Sequence, residues 1–314
     1  MLSTEMIATR DAYGKTLVEL GRENDKVVVL DADLSGSTKT GLFAKEFPQR
    51  FFNAGIAEAN MVGMAAGLAA GGMLPFASTF AVFAAGRAFE QIRQSLAYPG
   101  MNVKIVATHG GITVGEDGGS HQSVEDLAIM RSLPNMTVLC PADGPETAAA
   151  IRAIAAYDGP VYVRLGRAKV PVVFAEDCDF TIGKGAVVRE GSDLTFITTG
   201  LMTAQAVEAA EILAEENIDA RVVHLGSIKP IDVDLILQAA RQTGAIVTAE
   251  EHSIIGGLGG AVCEVLAEGC PTPVERVGMR DVFGQSGTAD DLLAHYGLTP
   301  AHLVEAAERV LQRK

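Results

Sequence analysis

The sequence predicts an α/β protein of two domains, each built on a doubly wound, mostly parallel sheet. Three observations carry that expectation. Short β-branched runs alternate with longer helix-forming segments along the chain, the pattern of strand–helix–strand units. The 314 residues suffice for two domains of ordinary size, and 48% hydrophobic against 20% charged residues can supply substantial cores. Between the two series lies Gly166 to Gly185, a segment with Pro171 and several acids that reads as a boundary. The first domain is therefore expected in residues 1–175 and the second in residues 186–314.

The elements follow in order. An amphipathic helix is predicted from Thr9 to Arg22, then the strand Lys26–Leu30 and a polar loop, Asp31 to Thr40. A helix of small residues, Ala59–Ala70, leads through Gly71-Gly72 into the strand Leu74–Thr79. Next come a helix from about Ala84 to Tyr98, the strand Val103–Thr108 and a glycine-rich loop, Gly110 to Ser120. The helix Val124–Arg131, strand Thr137–Cys140, helix Pro145–Ala156 and strand Val161–Leu165 complete the first series. The second comprises Leu194–Thr198, the helix Thr203–Glu216, Ala220–His224, the helix Asp232–Thr243, Ala245–Ala249 and the helix Gly260–Ala267. No short repeat or low-complexity tract interrupts it.

Composition excludes several classes of function. A formal net charge of −14 and a pI of about 4.9 disfavour nucleic acid and anionic membranes as partners. An anionic substrate must then be held by a local cluster of cations. Cys140, Cys178, Cys263 and Cys270 form no CxxC pair and read as small core residues in a reducing, cytoplasmic compartment. The N-terminus carries charges where an export signal needs an apolar run. The uncharged stretch from Met61 to Gly86 is long enough for a membrane span, but Gly71-Gly72 and Pro75 break it.

In doubly wound sheets, ligands gather at the carboxyl ends of the strands. Those ends carry the loops Asp31–Thr40, Thr79–Phe83, His109–His121 and Leu165–Lys169. The third packs two histidines and two acids, Glu116 and Asp117, among glycines that let backbone approach a ligand closely. Glu58 is the other unusual residue, a lone carboxylate at the head of the uncharged stretch. At the edge of a core, desolvation favours the neutral, proton-donating carboxyl. As an acid in a first helical turn, Glu58 would also complement the helix dipole.

The segments NAGIAEANMVGMAAGLA, STFAVF, ATHGGITVGEDGGSHQSVEDLAIMRSLPNMTVLCPAD and VRLGR, in this order, closely resemble the pyrimidine-binding domain of transketolase. VVHLGSIKPID and EEHSIIGGLGG resemble the transketolase C-terminal domain, so the resemblance covers essentially the whole chain. It implies a thiamine-diphosphate-binding fold followed by a transketolase C-terminal-like domain. The GDG-type motif of the diphosphate- and metal-binding half does not occur, and full transketolases are roughly twice this length. The chain therefore resembles the C-terminal subunit of a split transketolase. Its implied activity is transfer of a two-carbon ketol unit from a ketose phosphate to an aldose, with an N-terminal partner subunit. A dimer of heterodimers is implied, with thiamine diphosphate and Mg²⁺ as cofactors and the metal ligands on the partner.

The same resemblance implies site roles. Glu58 matches the glutamate that bonds N1′ of the aminopyrimidine, and Phe80 and Phe83 match the aromatic residues packed on that ring. Gly86 stands where the family often has a further tyrosine. His109, Asp117 and His121 match residues at the ketose carbonyl and hydroxyls, with Glu58, His109 and His121 in catalytic roles. Arg10, Ser37 and Arg167 match the phosphate end of the substrate, where guanidinium groups supply charge-assisted bonds. Each of the three also has a plain structural reading, as helix surface, turn residue and linker ion pair.

Gly256-Gly257-Leu258-Gly259 lacks the full dinucleotide fingerprint and reads as close helix packing, and His224 and His252 read as structural. Three alternatives remain at this point. A 2-oxo acid dehydrogenase β subunit has similar size but lacks the VGEDG…HQ pattern. A deoxyxylulose-phosphate synthase shares the loop but has no counterpart of His109. A non-catalytic regulatory paralogue would keep only the fold.

Overall fold

Hydrophobic runs buried on both faces are what a parallel sheet requires of its central strands, and the structure places them there. The computed structural model describes residues 3–314. Among these, the strands of the first half are β1 (Met6–Ala8), β2 (Val27–Asp31), β3 (Phe51–Asn53), β4 (Leu74–Ser78), β5 (Lys104–Ala107), β6 (Thr137–Leu139), β7 (Val161–Arg164) and β8 (Lys169–Pro171). The second half adds β9 (Ala186–Arg189), β10 (Leu194–Thr198), β11 (Ala220–His224), β12 (Ser227–Lys229), β13 (Ile246–Ser253) and β14 (Val274–Met279).

A seven-stranded sheet has the order β12-β6-β7-β5-β4-β2-β3, and a five-stranded sheet the order β14-β13-β10-β11-β9. Every pairing in the first is parallel except β12 on β6, and every pairing in the second is parallel except β9 on β11. All residues of β2, β4, β5, β7, β10 and β11 are buried. The two-domain α/β expectation agrees with this architecture. β1 and β8 pair antiparallel as a separate ribbon.

The order of the first sheet decides where a ligand can sit. β7, β5, β4 and β2 are successive neighbours, all parallel. Their carboxyl ends therefore open side by side, and the loops that follow them meet at one edge. The loop after β2 is held from below by Asp31. Its carboxylate accepts from the Leu34 amide at 2.6 Å and from the Thr38 and Thr40 hydroxyls at 2.7 and 2.8 Å. This side chain turns what the sequence predicts as plain loop into a short helix, Ser35–Thr38.

Several other elements depart from expectation. The predicted Ala84–Tyr98 helix is two wide π segments, Phe83–Arg87 and Ile92–Ala97, around a short α-helical piece. Hydrophobic spacing in an alanine-rich run of this length does not separate a 3.6-residue turn from a wider one. β13 runs four residues beyond Ala249, because Glu250, Glu251 and His252 are buried polar residues that interrupt the apolar pattern while staying in the sheet. β3, β9, β12, β14 and the helices Ala289–His295 and Pro300–Leu311 have no counterpart among the predicted elements.

Buried polar bonds join the two halves. Strand β12 belongs to the second half of the chain yet extends the first sheet from its β6 edge. Thr199 donates its hydroxyl to the Cys140 carbonyl at 3.1 Å, and the Arg164 guanidinium donates to the Glu251 carbonyl at 2.6 Å. The Glu251 carboxylate in turn accepts from the Thr113 amide at 2.6 Å, inside the glycine-rich loop. This contact needs Gly111, whose φ is +80° and whose missing Cβ would lie 2.2 Å from the Glu251 carboxyl group. Gly111→Ala is expected to destabilise the fold by about 2–4 kcal/mol, combining the left-handed strain with loss of a buried bond. Urea unfolding of the variant checks this; a change below about 0.5 kcal/mol would show that the loop is not pinned by Glu251.

Candidate active site

At the shared edge of β7, β5, β4 and β2, the side chains assemble around His109. This residue follows β5, is 2% exposed, and has a left-handed φ of +59°, which is uncommon for a side-chain-bearing residue and marks a constrained position. The Arg10 guanidinium donates to Nε2 of His109 at 3.3 Å and to the Ser37 carbonyl at 3.0 Å. A guanidinium only donates, so Nε2 accepts, and the imidazole proton resides on Nδ1. Nδ1 then donates to the Thr108 hydroxyl at 2.8 Å. Burial, followed by repulsion from Arg10, Arg167, His121 and Lys39, holds the His109 pKa down to about 3. The imidazole is neutral in a pocket rich in cations.

The flat groups form a column. The Phe80 ring stacks on His109 with centroids 3.8 Å apart and planes 18° apart. Phe83 continues the stack on Phe80 at 5.8 Å and 9°, and the Arg87 guanidinium lies 4.3 Å over the Phe83 centroid. His121 meets Phe83 and Phe80 edge-on at 5.6 and 6.4 Å. The stack of His109, Phe80 and Phe83 thus ends in an outer Phe83 face that the Arg87 guanidinium covers.

Glu58 occupies the first turn of the Glu58–Ala70 helix and is 4% exposed. Its Oε1 accepts from Arg87 at 3.1 Å, so the carboxylate is joined to the column through that arginine. Arg87 is absent from the residues expected in the site. The sequence marks the two only as the charges that flank the uncharged stretch; their pairing is a contact of the fold.

The remaining expected residues lie beside His109 and do different things. Ser37 meets Arg10 through its backbone carbonyl. Arg167 donates to the Val114 carbonyl and to Glu116 at 3.3 Å, and lies 4.0 Å from Asp117, so it is bonded to the glycine-rich loop. Its field still reaches both Arg10 and His109. Gln122 anchors the loop by donating to the Ile112 carbonyl at 3.1 Å and to the Gln285 carbonyl at 2.9 Å. Arg10, Arg167 and Lys39 therefore gather at one place in an acidic chain. Thr108 and Gln122 stand in the quoted ATHGGITVGEDGGSHQ segment, whereas Lys39 carries no signal beyond its place in the Asp31–Thr40 loop.

Comparison with known proteins shows the family. Residues 5–172 match the transketolase pyrimidine binding domain, and residues 183–303 match the transketolase C-terminal domain. The chain belongs to the transketolase family. A transketolase C-terminal section of Methanocaldococcus jannaschii is 56% identical over 92% of this chain and 92% of its own length. A 6-deoxy-6-sulfo-D-fructose transketolase subunit of a Clostridium strain is 46% identical over 97% of this chain and 95% of its own. A solved structure described as a split gene transketolase, inactive beta4 tetramer, superposes with a TM-score of 0.92 at 60% identity. It covers 98% of this chain and 99% of that one. This transketolase chain thus corresponds in length to separate C-terminal subunits. Among its described residues no helix is long and apolar enough to cross a membrane.

The state of His109 gives a test. An unfolded imidazole takes up its proton near 6.5, whereas the folded one resists until about 3. The unfolded state therefore binds more protons between these values, and acidification through that window destabilises the fold. The His109 contribution is fully present above 6.5 and lost as pH falls toward 3. Nitrogen NMR of the imidazole at pH 5 should show a neutral ring with its proton on Nδ1. A protonation midpoint near the ordinary value would contradict the Arg10 and Thr108 assignments.

Proposed function

We propose that this chain is the pyrimidine-binding and C-terminal subunit of a two-subunit transketolase, and that it moves a two-carbon ketol unit from a ketose phosphate to an aldose. The observation that carries this reading is the buried Glu58 carboxylate set beside the Phe83–Phe80–His109 column, to which Arg87 joins it. A buried carboxylate beside flat aromatic faces suits an aminopyrimidine, which needs a hydrogen-bonding edge and a stacking surface. That such a group fits is supported by Arg87, a flat N–H donor that already spans Glu58 and Phe83.

Thiamine diphosphate, when bound, supplies the nucleophilic thiazolium carbon that receives the two-carbon unit. Glu58 would hold the pyrimidine N1′ and set its protonation state. Phe80 and Phe83 would fix the ring plane. His109, neutral and with Nε2 as acceptor, would receive a hydrogen bond from a substrate hydroxyl in place of Arg10. His121 and Asp117 would orient the sugar hydroxyls. Mg²⁺ and its ligands belong to the partner subunit in this reading, and the four free thiols suit a reducing, cytoplasmic setting.

The phosphate end would be Arg10 and Arg167 with Ser37 beside them. The chain carries −14 overall, so attraction for an anionic sugar must come from this cluster. A sulfonated ketose presents a similar anionic end, and the Clostridium relative is named for one.

Two substitutions test the assignment in the complex with the partner subunit. Glu58→Gln should lower turnover by roughly 10²–10⁴-fold while assembly is retained, the scale of lost acid–base assistance. Near-normal turnover would make Glu58 structural. Arg167→Ala should raise KM for phosphorylated donors about ten- to a hundredfold with little change in kcat, because a remote phosphate contact is present in ground and transition states alike. Equal losses for phosphorylated and unphosphorylated ketoses would show instead that Arg167 only braces Glu116 and the loop.

A further inference from the structure

Arg87 has no role in the chemistry above, yet it occupies the place where the cofactor ring is expected. Its Nη1 lies 3.1 Å from Oε1 of Glu58, and its guanidinium carbon lies 4.3 Å from the Phe83 centroid. One flat face is thus against the outer ring of the column, and one N–H edge is on the buried carboxylate. These are the two attachments an aminopyrimidine would make. The side chain of Arg87 is 55% exposed while that of Glu58 is 5% exposed, so the pair has one wet and one dry member.

We propose that Arg87 is the subunit's own stand-in for the cofactor ring, holding Glu58 and the Phe83 face until the aminopyrimidine displaces it. The inference rests on the cofactor reading above. Its physical logic is that a buried carboxylate left without a partner is costly, so the cofactor-free chain needs something on Glu58. A residue that is half in water can leave with little penalty, because exposed ion pairs and cation–π contacts are individually weak. Arg87 also ends the π segment Phe83–Arg87, in which the Ala88 amide bonds back to the Phe83 carbonyl at 3.3 Å. Single π turns of this kind recur at functional sites.

The other face of Phe83 lies on Phe80, so the guanidinium and a pyrimidine ring cannot both cover the face that Arg87 holds. The measured affinity for the cofactor is therefore its intrinsic affinity reduced by the fraction of molecules in which Arg87 has withdrawn. Removing the arginine removes this competition, and the ion-pair share of the effect must run through Glu58.

The experiment is calorimetric titration of thiamine diphosphate, with Mg²⁺ present, into the complex of this chain with its diphosphate-binding partner. Wild type, Arg87→Ala, Glu58→Gln and the double variant are compared as a cycle. Arg87→Ala is expected to tighten the apparent Kd about three- to thirtyfold in the native background, the range an exposed ion pair with a cation–π contact supports. In the Glu58→Gln background the tightening should shrink to the share of the cation–π contact with Phe83. An affinity unchanged or weakened in Arg87→Ala would overturn the inference, as would a tightening that is undiminished without Glu58. No binding by wild type would overturn the cofactor reading itself. A second readout uses this chain alone without cofactor. Arg87→Ala should lower its Tm, and adding Glu58→Gln should recover most of the loss, since no buried charge then lacks a partner. An unchanged Tm in Arg87→Ala would show that Glu58 does not need its stand-in.

Discussion

The neutrality of His109 is the constraint on which the rest of the site depends. An imidazole pressed between Phe80 and the Arg10 guanidinium cannot take a proton without burying a second charge beside the first. Because it stays neutral, Nε2 is an acceptor, and a cationic residue can approach it. That allows Arg10 to point inward at Ser37 and His109 instead of outward to solvent. The neighbouring cations Arg167 and Lys39 then share one corner of a protein that is otherwise acidic. If His109 were charged, the corner would repel itself. The corner proposed to hold an anionic sugar thus gains no further buried charge at His109, and Asp11 and Glu116 pair with Lys39 and Arg167 there.

The sheet supplies the convergence that such a corner needs. Four parallel neighbours, β7, β5, β4 and β2, end at one edge, and each contributes a loop. Two carboxylates that are not part of the column do the bracing. Asp31 shapes the loop that presents Ser37, and Glu251 reaches from the second sheet to the Thr113 amide in the glycine-rich loop. The C-terminal domain therefore takes part in positioning the loop beside His109, even though it contributes none of the residues proposed to touch the cofactor.

Much of this was legible in the sequence because it depends on local pattern. Val27–Leu30 and Leu194–Thr198 are buried strands by composition alone, and His109, His121 and Asp117 stand out among glycines. The helix Pro300–Leu311 is equally legible, with Leu303, Ala306, Ala307 and Val310 at helical spacing. What could not be read depends on contacts distant in sequence. The crossing of β12 to the β6 edge is fixed by three-dimensional packing. The Arg87–Glu58 pair spans 29 positions and a helix, and the wide turns of Phe83–Arg87 leave no mark on an alanine-rich run. The bonds of Arg167, proposed at the phosphate end, to Glu116 and the Val114 carbonyl likewise join residues about fifty positions apart.

The proposed account makes this chain half of a site: it offers Glu58, the aromatic column and the cation cluster, and it requires another subunit for the diphosphate and its metal. Purified chain supplied with thiamine diphosphate, Mg²⁺, xylulose 5-phosphate and an aldose acceptor, then titrated with the separately purified diphosphate-binding subunit, tests that claim most directly. The account predicts no turnover before the second subunit is added, and activity that rises to a plateau at equal amounts of the two chains. Turnover by the partner-free chain would contradict it.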